Sequence, residues 1–171
     1  MEIKIGASIF LLIQEYDVRY PANLVDTVLG QDNVLYYTPR KRLACRIQNQ
    51  DTLCTILQLL SAVLSVGVSI DISFDRRQVV FDRFSKEAFP SLRFIQESEE
   101  AFLGRLSEYE RIRMISSPSG ALQNIAAERG CFLDIGEPLA NGRFELIRYM
   151  REVSLSYDYH RYGNLGIREE K

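Results

Sequence analysis

Apolar and polar positions along the chain predict strands and helices that alternate. Residues 43–48 (LACRIQ) alternate at period two and end at the turn former Asn49, which is typical of a strand. Residues 68–73 (VSIDIS) are rich in β-branched side chains and predict a second strand. Between them, the apolar residues of 52–66 recur at helical spacing. A strand, a helix and a strand within about 30 residues predict a βαβ unit with parallel strands and a right-handed crossover.

The helix predicted over residues 52–66 has recognisable signals at both ends. Asp51 precedes it and is expected to be its N-cap. Gly67 follows it at the position where a left-handed C-terminal cap belongs. Five residues are predicted to form its apolar face: Leu53, Ile56, Leu57, Leu60 and Leu64.

The same alternation continues toward the C-terminus. Three further strands are predicted, at 92–96, 111–116 and 131–135. Ser98 is expected to begin one helix, and Ser119 or Gly120 is expected to begin another that ends at Gly130. Strands that alternate with helices predict a three-layer α/β domain around a mostly parallel sheet.

The two ends of the chain are expected to differ from this core. Residues 3–16 favour a helix over a strand, and 17–42 contain many turn formers and are predicted to be connecting structure. Residues 144–152 predict a last helix, and 153–160 a half-buried strand of period two. We therefore expect a segment at 1–42, a core at 43–152 and a flap strand with a tail at 153–171. The abrupt start suggests a fragment or a split gene product.

Composition excludes several classes of function. The 171 residues suit one domain, and the net charge of −2 gives no general attraction to nucleic acid or anionic lipid. The apolar run from Ala7 to Ile13 is too short to cross a bilayer, so no integral membrane segment is expected. The three cysteines lack metal-binding spacing. Cys45 and Cys54 lie inside apolar runs and are expected to be small buried hydrophobes, which suits a reducing cytoplasm.

The sequence contains no recognisable catalytic, cofactor-binding or metal site. The junction after the first core strand is Gln48-Asn49-Gln50-Asp51, which has no glycine, and Asp51 would repel a pyrophosphate there. A phosphate-binding GxxxxGK loop and a GxSxG nucleophile elbow are also absent. The single histidine, His160, has no nucleophile signature to activate and is expected to hydrogen-bond or to pack at an interface.

The tail is the best candidate for a functional surface. It is rich in tyrosine and arginine, the residue types that anchor protein interfaces, and its glycines permit sharp turns. We expect it to dock on another domain or subunit, with packing on its own domain as the alternative. The predicted interaction residues are Tyr157, Tyr159, His160, Arg161, Tyr162, Gly163 and Asn164. A second cluster, Pro39 to Arg42, is basic and is either a solvated loop edge or a binding site for a phosphate or carboxylate.

Four segments resemble one enzyme family. They are Gly30 to Tyr37 (GQDNVLYY), Glu97 to Leu103 (ESEEAFL), Asn141 to Tyr149 (NGRFELIRY) and Ser154 to Gly166 (SLSYDYHRYGNLG). The chain resembles, over roughly residues 5–168, the C-terminal region of the long forms of proline utilization A, which are bifunctional proline-catabolic enzymes. The most specific part of the resemblance is YHRYGNLG.

The resemblance implies a Rossmann-like domain of the aldehyde dehydrogenase superfamily that lacks activity. Long-form relatives carry a flavin-dependent proline dehydrogenase and an NAD-dependent glutamate-semialdehyde dehydrogenase, so FAD and NAD belong to the parent enzyme and no cofactor is expected here. The domain would seal the tunnel for the intermediate, and a β-flap would contact the catalytic domains, in cis or in trans, or form a homodimer. The alternatives are an independent nucleotide-binding protein and a regulatory module for a small ligand.

Overall fold

The computed structural model describes residues 23–28, 31–67, 69–75, 81, 90–158, 160–161 and 164–165. The helix expected over 3–16 lies outside them. The strands are β1 (Asn23–Val28), β2 (Gln31–Pro39), β3 (Leu43–Ile47), β4 (Ile70–Phe74), β5 (Leu92–Gln96), β6 (Arg111–Met114), β7 (Phe132–Ile135), β8 (Met150–Asp158), β9 (His160–Arg161) and β10 (Asn164–Leu165). The α-helices are α1 (Leu53–Val66), α2 (Glu99–Gly104), α3 (Gly120–Glu128) and α4 (Gly142–Ile147).

The core is a parallel sheet of five strands in the order β5-β4-β3-β6-β7. All four neighbouring pairs are parallel, and Cys45 in the middle of β3 lies opposite Ile72 on one side and Arg113 on the other. This confirms the predicted fold class and all five predicted core strands. Every residue of β3 is buried, as expected for a central strand that helices cover on both faces.

Two apolar clusters fill the spaces between the sheet and its helices. One packs α1 and α4 against one face of the sheet, with Ile56, Ile72 and Leu146 among its fully buried members. The other packs α2 and α3 against the opposite face, around Phe102 and Leu122. The sheet between two helical layers gives the expected three-layer domain.

The helix ends follow the predicted signals with one correction. Gly67 adopts the left-handed conformation at the end of α1, with φ of 70°, as a C-terminal glycine cap requires. The N-cap of α1 is Thr52 rather than Asp51, because the Thr52 hydroxyl accepts the hydrogen bond from the Thr55 amide at 3.3 Å. Ser98 and Ser119 cap α2 and α3 as predicted.

A separate antiparallel sheet, in the order β1-β2-β8, forms the flap. Its two long strands run side by side from Gln31 opposite Asp158 to Pro39 opposite Met150. The expectation of connecting structure over 17–42 is therefore wrong for β1 and β2. Asp32 and Asn33, which suggested a turn, lie within β2 and pair with β8, because tertiary strand pairing outweighs local propensity.

The last predicted helix is also shorter than expected. Residues 144–152 were expected to be helical, but α4 ends at Ile147 and β8 begins at Met150. The Arg40 amide donates to the Tyr149 carbonyl at 3.0 Å, which starts the pairing with β2 immediately after the helix. The strand predicted from residue 153 thus begins three residues earlier. It is not a lone strand, since β2 of the same chain supplies one set of its hydrogen bonds.

Beyond the flap, β9 and β10 pair antiparallel, with Asn164 opposite Arg161 and Leu165 opposite His160. Within the ranges that the structure covers, none of the helices is long and apolar enough to cross a membrane.

Candidate functional site

The order of the core strands fixes where a ligand would be expected. The chain leaves the central strand β3 toward β4 and β5, and later returns to β6 on the other side of β3. Ligands of open α/β sheets bind at the carboxyl ends of the strands where the order reverses in this way. In this chain that place is the junction from Ile47 to Thr52, beside the residues that follow β6.

Side chains of the protein itself occupy this junction. The Gln48 side-chain amide donates to the carbonyls of Ser116 and Ser117, at 3.3 and 3.0 Å, and so ties the end of β3 to the loop after β6. The buried Asp51 carboxylate accepts from the backbone amide of Gln48 at 2.7 Å and from the Ser116 hydroxyl. These contacts place a carboxylate and an amide side chain where dinucleotide-binding proteins expose a glycine-rich backbone.

A cleft of about 130 Å³ remains beside the junction, lined by Arg46, Gln50, Asp75 and Glu99 among others. The buried Arg46 guanidinium donates to the Ser73 hydroxyl at 2.7 Å and to the Glu97 carbonyl at 3.2 Å. Burial lowers the pKa of Arg46, and the nearby Glu97 opposes this. The cleft is therefore polar, and the Arg46 guanidinium beside it is already hydrogen-bonded to other groups of the protein.

A second polar network lies on the α2 side of the sheet, around Asp71. The Asp71 carboxylate accepts from Arg93 at 2.7 Å, from Arg105 at 2.7 Å and from the Tyr109 hydroxyl. Burial acts to raise the pKa of Asp71, but these hydrogen bonds hold it below its ordinary value. Arg105 also pairs with Glu97 at 2.9 Å, so the network joins β4, β5 and the segment after α2.

A third network joins the core to the flap. The buried Glu145 carboxylate accepts from the Tyr149 hydroxyl at 2.7 Å, from the Leu139 amide at 2.9 Å and from Arg113 at 3.3 Å. Arg113 is fully buried in β6, and its guanidinium also donates to the Gly136 carbonyl at 2.6 Å. Burial raises the pKa of Tyr149 well above its ordinary value, so the hydroxyl keeps its proton as a donor. Because Tyr149 directly precedes β8, this network fixes the base of the flap.

The cysteine environments disfavour a reactive thiolate at two positions. Burial raises the pKa of Cys45 to about 12 and also raises the pKa of Cys131. Cys45 is buried as predicted, whereas Cys54 is half-buried instead of buried; Cys131 is also buried, and all three are free thiols. No group of three His, Cys, Asp or Glu side chains in the described part of the chain is arranged to hold a metal ion.

The flap has one apolar face that points away from the core. Cross-strand pairing puts Val153 opposite Tyr36 and Leu155 opposite Val34. Tyr157 lies on the same face, because alternate residues of a strand point to the same side. Leu155 is 56% exposed and Tyr157 is 66% exposed. Tyr37 is on the opposite face and packs against the core cluster beneath the flap. The outward face therefore carries a stripe of apolar and aromatic side chains, of which Leu155 and Tyr157 are exposed and the others are half-buried; we call it the flap face.

The predicted interaction residues are only partly within the described chain. Tyr157 lies on the flap face. His160, Arg161 and Asn164 belong to the β9–β10 pair, while Tyr159, Tyr162 and Gly163 lie outside the described residues. Val34 and Tyr36 in β2 also lie on the flap face, although the sequence pattern did not predict it. Residues 34–37 are all apolar or aromatic, so both faces of β2 look alike in the sequence, and no polar position shows which face points outward.

Comparison with known proteins shows the fold. No family model matches the chain, and no curated protein matches it. Proline utilization A from Corynebacterium freiburgense is similar in structure, with a TM-score of 0.58, 19% identity, and coverage of 92% of this chain and 14% of that one. An NAD-dependent benzaldehyde dehydrogenase from Corynebacterium glutamicum is similar with a TM-score of 0.58 and 13% identity, over 78% of this chain and 34% of that one.

An aldehyde dehydrogenase from Staphylococcus aureus, solved in a substrate-bound state, is similar with a TM-score of 0.60 and 14% identity, over 77% of this chain and 31% of that one. The chain thus has a fold found in aldehyde dehydrogenase superfamily structures. It spans about a third or less of the length of each of these three.

Proposed function

We propose that this chain is a non-catalytic domain equivalent to the C-terminal domain of long-form proline utilization A. It contacts the dehydrogenase domains of that enzyme, in cis or in trans, and helps to seal the tunnel that carries the intermediate between their active sites. The flap face carries the proposal, because it exposes an apolar stripe on a strand at the edge of a sheet.

The flap face has the chemistry of an interface. Tyrosine combines a large contact area with a hydroxyl that can hydrogen-bond and is enriched among the residues that anchor interfaces, and exposed apolar patches mark protein contacts. Among the described residues, β8 is paired only with β2, so its other edge can add a strand from a partner. The charged neighbours Arg151 and Asp158 at its two ends limit unspecific pairing.

The extent of the structural match supports the choice of parent enzyme. The similarity to proline utilization A covers 92% of this chain, against 78% and 77% for the two other dehydrogenases described above. The four sequence segments that resemble the family are spread over the same length, and two of them contribute to the flap. The self-occupied junction at Gln48 and Asp51 supports a role without a cofactor of its own.

The experiment tests association with the dehydrogenase module of a long-form proline utilization A, measured by light scattering. Leu155→Glu and Tyr157→Glu place charges on the flap face and are expected to abolish association. The matched control is Ser154→Glu, an equal charge on the opposite face of the same strand, which is expected to retain it. Equal association by all three variants and the unaltered chain rules out the flap face as the contact.

A second candidate is a small-ligand or nucleotide-binding module, which the cleft beside Arg46 favours. Its volume of about 130 Å³ is below the roughly 300 Å³ at which typical ligand pockets begin. Thermal unfolding with NAD, NADP or ATP separates the two functions, because a ligand at a thousandfold excess over Kd stabilises by about 4 kcal/mol. A clear shift with NAD contradicts a role limited to protein contacts.

A further inference from the structure

The base of the flap concentrates arginine side chains. Arg40 follows β2, Arg111 begins β6, and Arg148 and Arg151 lie on either side of the start of β8. Strand pairing brings these positions together. The Arg40 amide bonds to the Tyr149 carbonyl at 3.0 Å, Leu43 pairs with Arg111, and Thr38 pairs with Arg151. The Arg111 guanidinium also reaches the Arg148 carbonyl at 3.4 Å.

The carboxylates nearby are shared among several guanidinium groups. Asp134 accepts from Arg111 at 3.0 Å and from Arg148 at 3.2 Å. Glu110 lies 3.6 Å from Arg42, a basic side chain outside this group. Arg148 also lies 3.7 Å from Glu145, whose carboxylate is shared with Arg113. Because each of these carboxylates is shared with a further guanidinium group, positive charge is left in excess at the base of the flap.

Two of these guanidinium groups have buried donors without a partner. The Nε atoms of Arg40 and Arg111 are both shielded from solvent and hydrogen-bond to no atom within the described structure. Native proteins satisfy more than nine in ten buried polar groups, so two unsatisfied donors at one place need an explanation. Burial and then the charge of Arg111 lower the pKa of Arg40, and the nearby carboxylates of Glu110 and Asp134 offset this only in part. Both the geometry and the charge indicate that an anion belongs here.

We propose that Arg40, Arg111 and Arg151 form an oxyanion site at the base of the flap, which takes a carboxylate or phosphate group. Guanidinium groups match both of these anions with paired hydrogen bonds. The Arg111 guanidinium stacks over the exposed Phe132 ring at 4.5 Å, which holds it in place and offers an apolar surface beside the anion. The site is at the opposite end of the parallel strands from the cleft beside Arg46, so it is separate from the second candidate function. Its test measures anion binding by the isolated chain and therefore does not depend on the proposed contact with the dehydrogenase domains.

The test is titration calorimetry with inorganic phosphate and, separately, with succinate, each against sodium chloride at equal ionic strength. The unaltered chain is expected to bind at least one of the two probes, and the tighter one identifies the group. Arg40→Gln and Arg151→Gln are each expected to weaken binding about tenfold, the effect of losing one charge-assisted hydrogen bond. Lys41→Gln removes the same charge from the adjacent exposed residue and is expected to bind as the unaltered chain does.

Thermal unfolding without any added anion gives an independent readout. Arg40→Gln is expected to be at least as stable as the unaltered chain, because it removes a buried donor and a repelled charge. The proposal is overturned if neither probe binds, if Lys41→Gln weakens binding as much as Arg40→Gln does, or if Arg151→Gln leaves binding unchanged.

Discussion

The parallel core and the antiparallel flap both contain apolar strand residues, but the core buries them and the flap exposes them. In the core, β3 buries all five of its residues, and its apolar side chains contact helices on both faces. In the flap, β8 buries only Met150 at its base, and its apolar residues Leu155 and Tyr157 point to solvent. The core thus obtains its stability from its own packing, whereas the flap presents apolar surface that its own described residues leave uncovered.

The boundary between the two regions is polar and buried. Glu145 and Arg113 are 1% and 0% exposed, and they connect α4 and β6 to the residue that precedes β8. A buried ion pair contributes little net stability, but it is costly to break and so holds one arrangement of the groups around it. This predicts that the flap base is more sensitive to substitution than the flap itself.

The largest effect is expected from Glu145→Ala. It leaves the Arg113 charge buried without its carboxylate and frees the Tyr149 hydroxyl and the Leu139 amide, so we expect a loss of about 3–5 kcal/mol. Chemical unfolding in urea measures it. The control Glu128→Ala removes an exposed carboxylate at the end of α3 and should change stability by less than about 0.5 kcal/mol. A loss below about 1 kcal/mol for Glu145→Ala contradicts the importance of this network.

The next effect tests the packing of the core. Ile72 is fully buried in β4, and Ile72→Ala removes methyl groups that the surrounding cluster cannot fully replace. We expect a loss of about 2–5 kcal/mol in the free energy of unfolding. Ile72→Val, which deletes one methylene group, is the matched control and should cost about 0.5–1.5 kcal/mol. Equal losses for both variants argue that this strand is less tightly packed than its burial indicates.

The same contrast explains how much of the molecule could be predicted from its sequence. The core strands and caps were predictable because burial on both faces selects apolar runs, and because Gly67, Ser98 and Ser119 have local functions at helix ends. The flap was only half predictable. The alternation of residues 153–160 predicts a strand, but no local signal names β2 as its partner.

The polar networks were not predictable at all. Arg113 looks like a surface residue of an alternating strand, and its burial depends on Glu145, which lies 32 positions further along the chain. The oxyanion site has the same origin, because Arg40 and Arg111 become neighbours only when β2, β3 and β6 have formed. In contrast, the lack of a glycine-rich phosphate loop could be recognised locally, because residues 48–51 contain no glycine. The structure shows the Gln48 and Asp51 side chains hydrogen-bonded within this junction.

A smaller effect is expected from pH. Burial raises the folded-state pKa of Cys45 to about 12, whereas the pKa of a thiol in the unfolded chain is about 8.5. The unfolded chain therefore loses this proton first, so the contribution of Cys45 is fully present below about pH 8.5 and decreases as pH rises toward 12. At pH 10 the loss is about 1–2 kcal/mol. The stability difference between pH 7 and pH 10 should be smaller by this amount in Cys45→Ala, and an unchanged difference contradicts the burial of the thiol.

The smallest effect is expected on the flap face and decides between its two interpretations. Leu155 is an aliphatic residue in a strand like Ile72, but its 56% exposure means that Leu155→Ala removes few contacts. If the flap face is covered only by a partner, Leu155→Ala should lower the free energy of unfolding of the isolated chain by less than about 0.5 kcal/mol, since surface substitutions rarely cost more. The variant should nevertheless weaken association with the dehydrogenase module, because the apolar surface of Leu155 is removed from water only when a partner covers it. If Leu155→Ala instead destabilises the isolated chain by more than about 1 kcal/mol, the chain covers this face itself, and the flap then belongs to the core rather than to an interface.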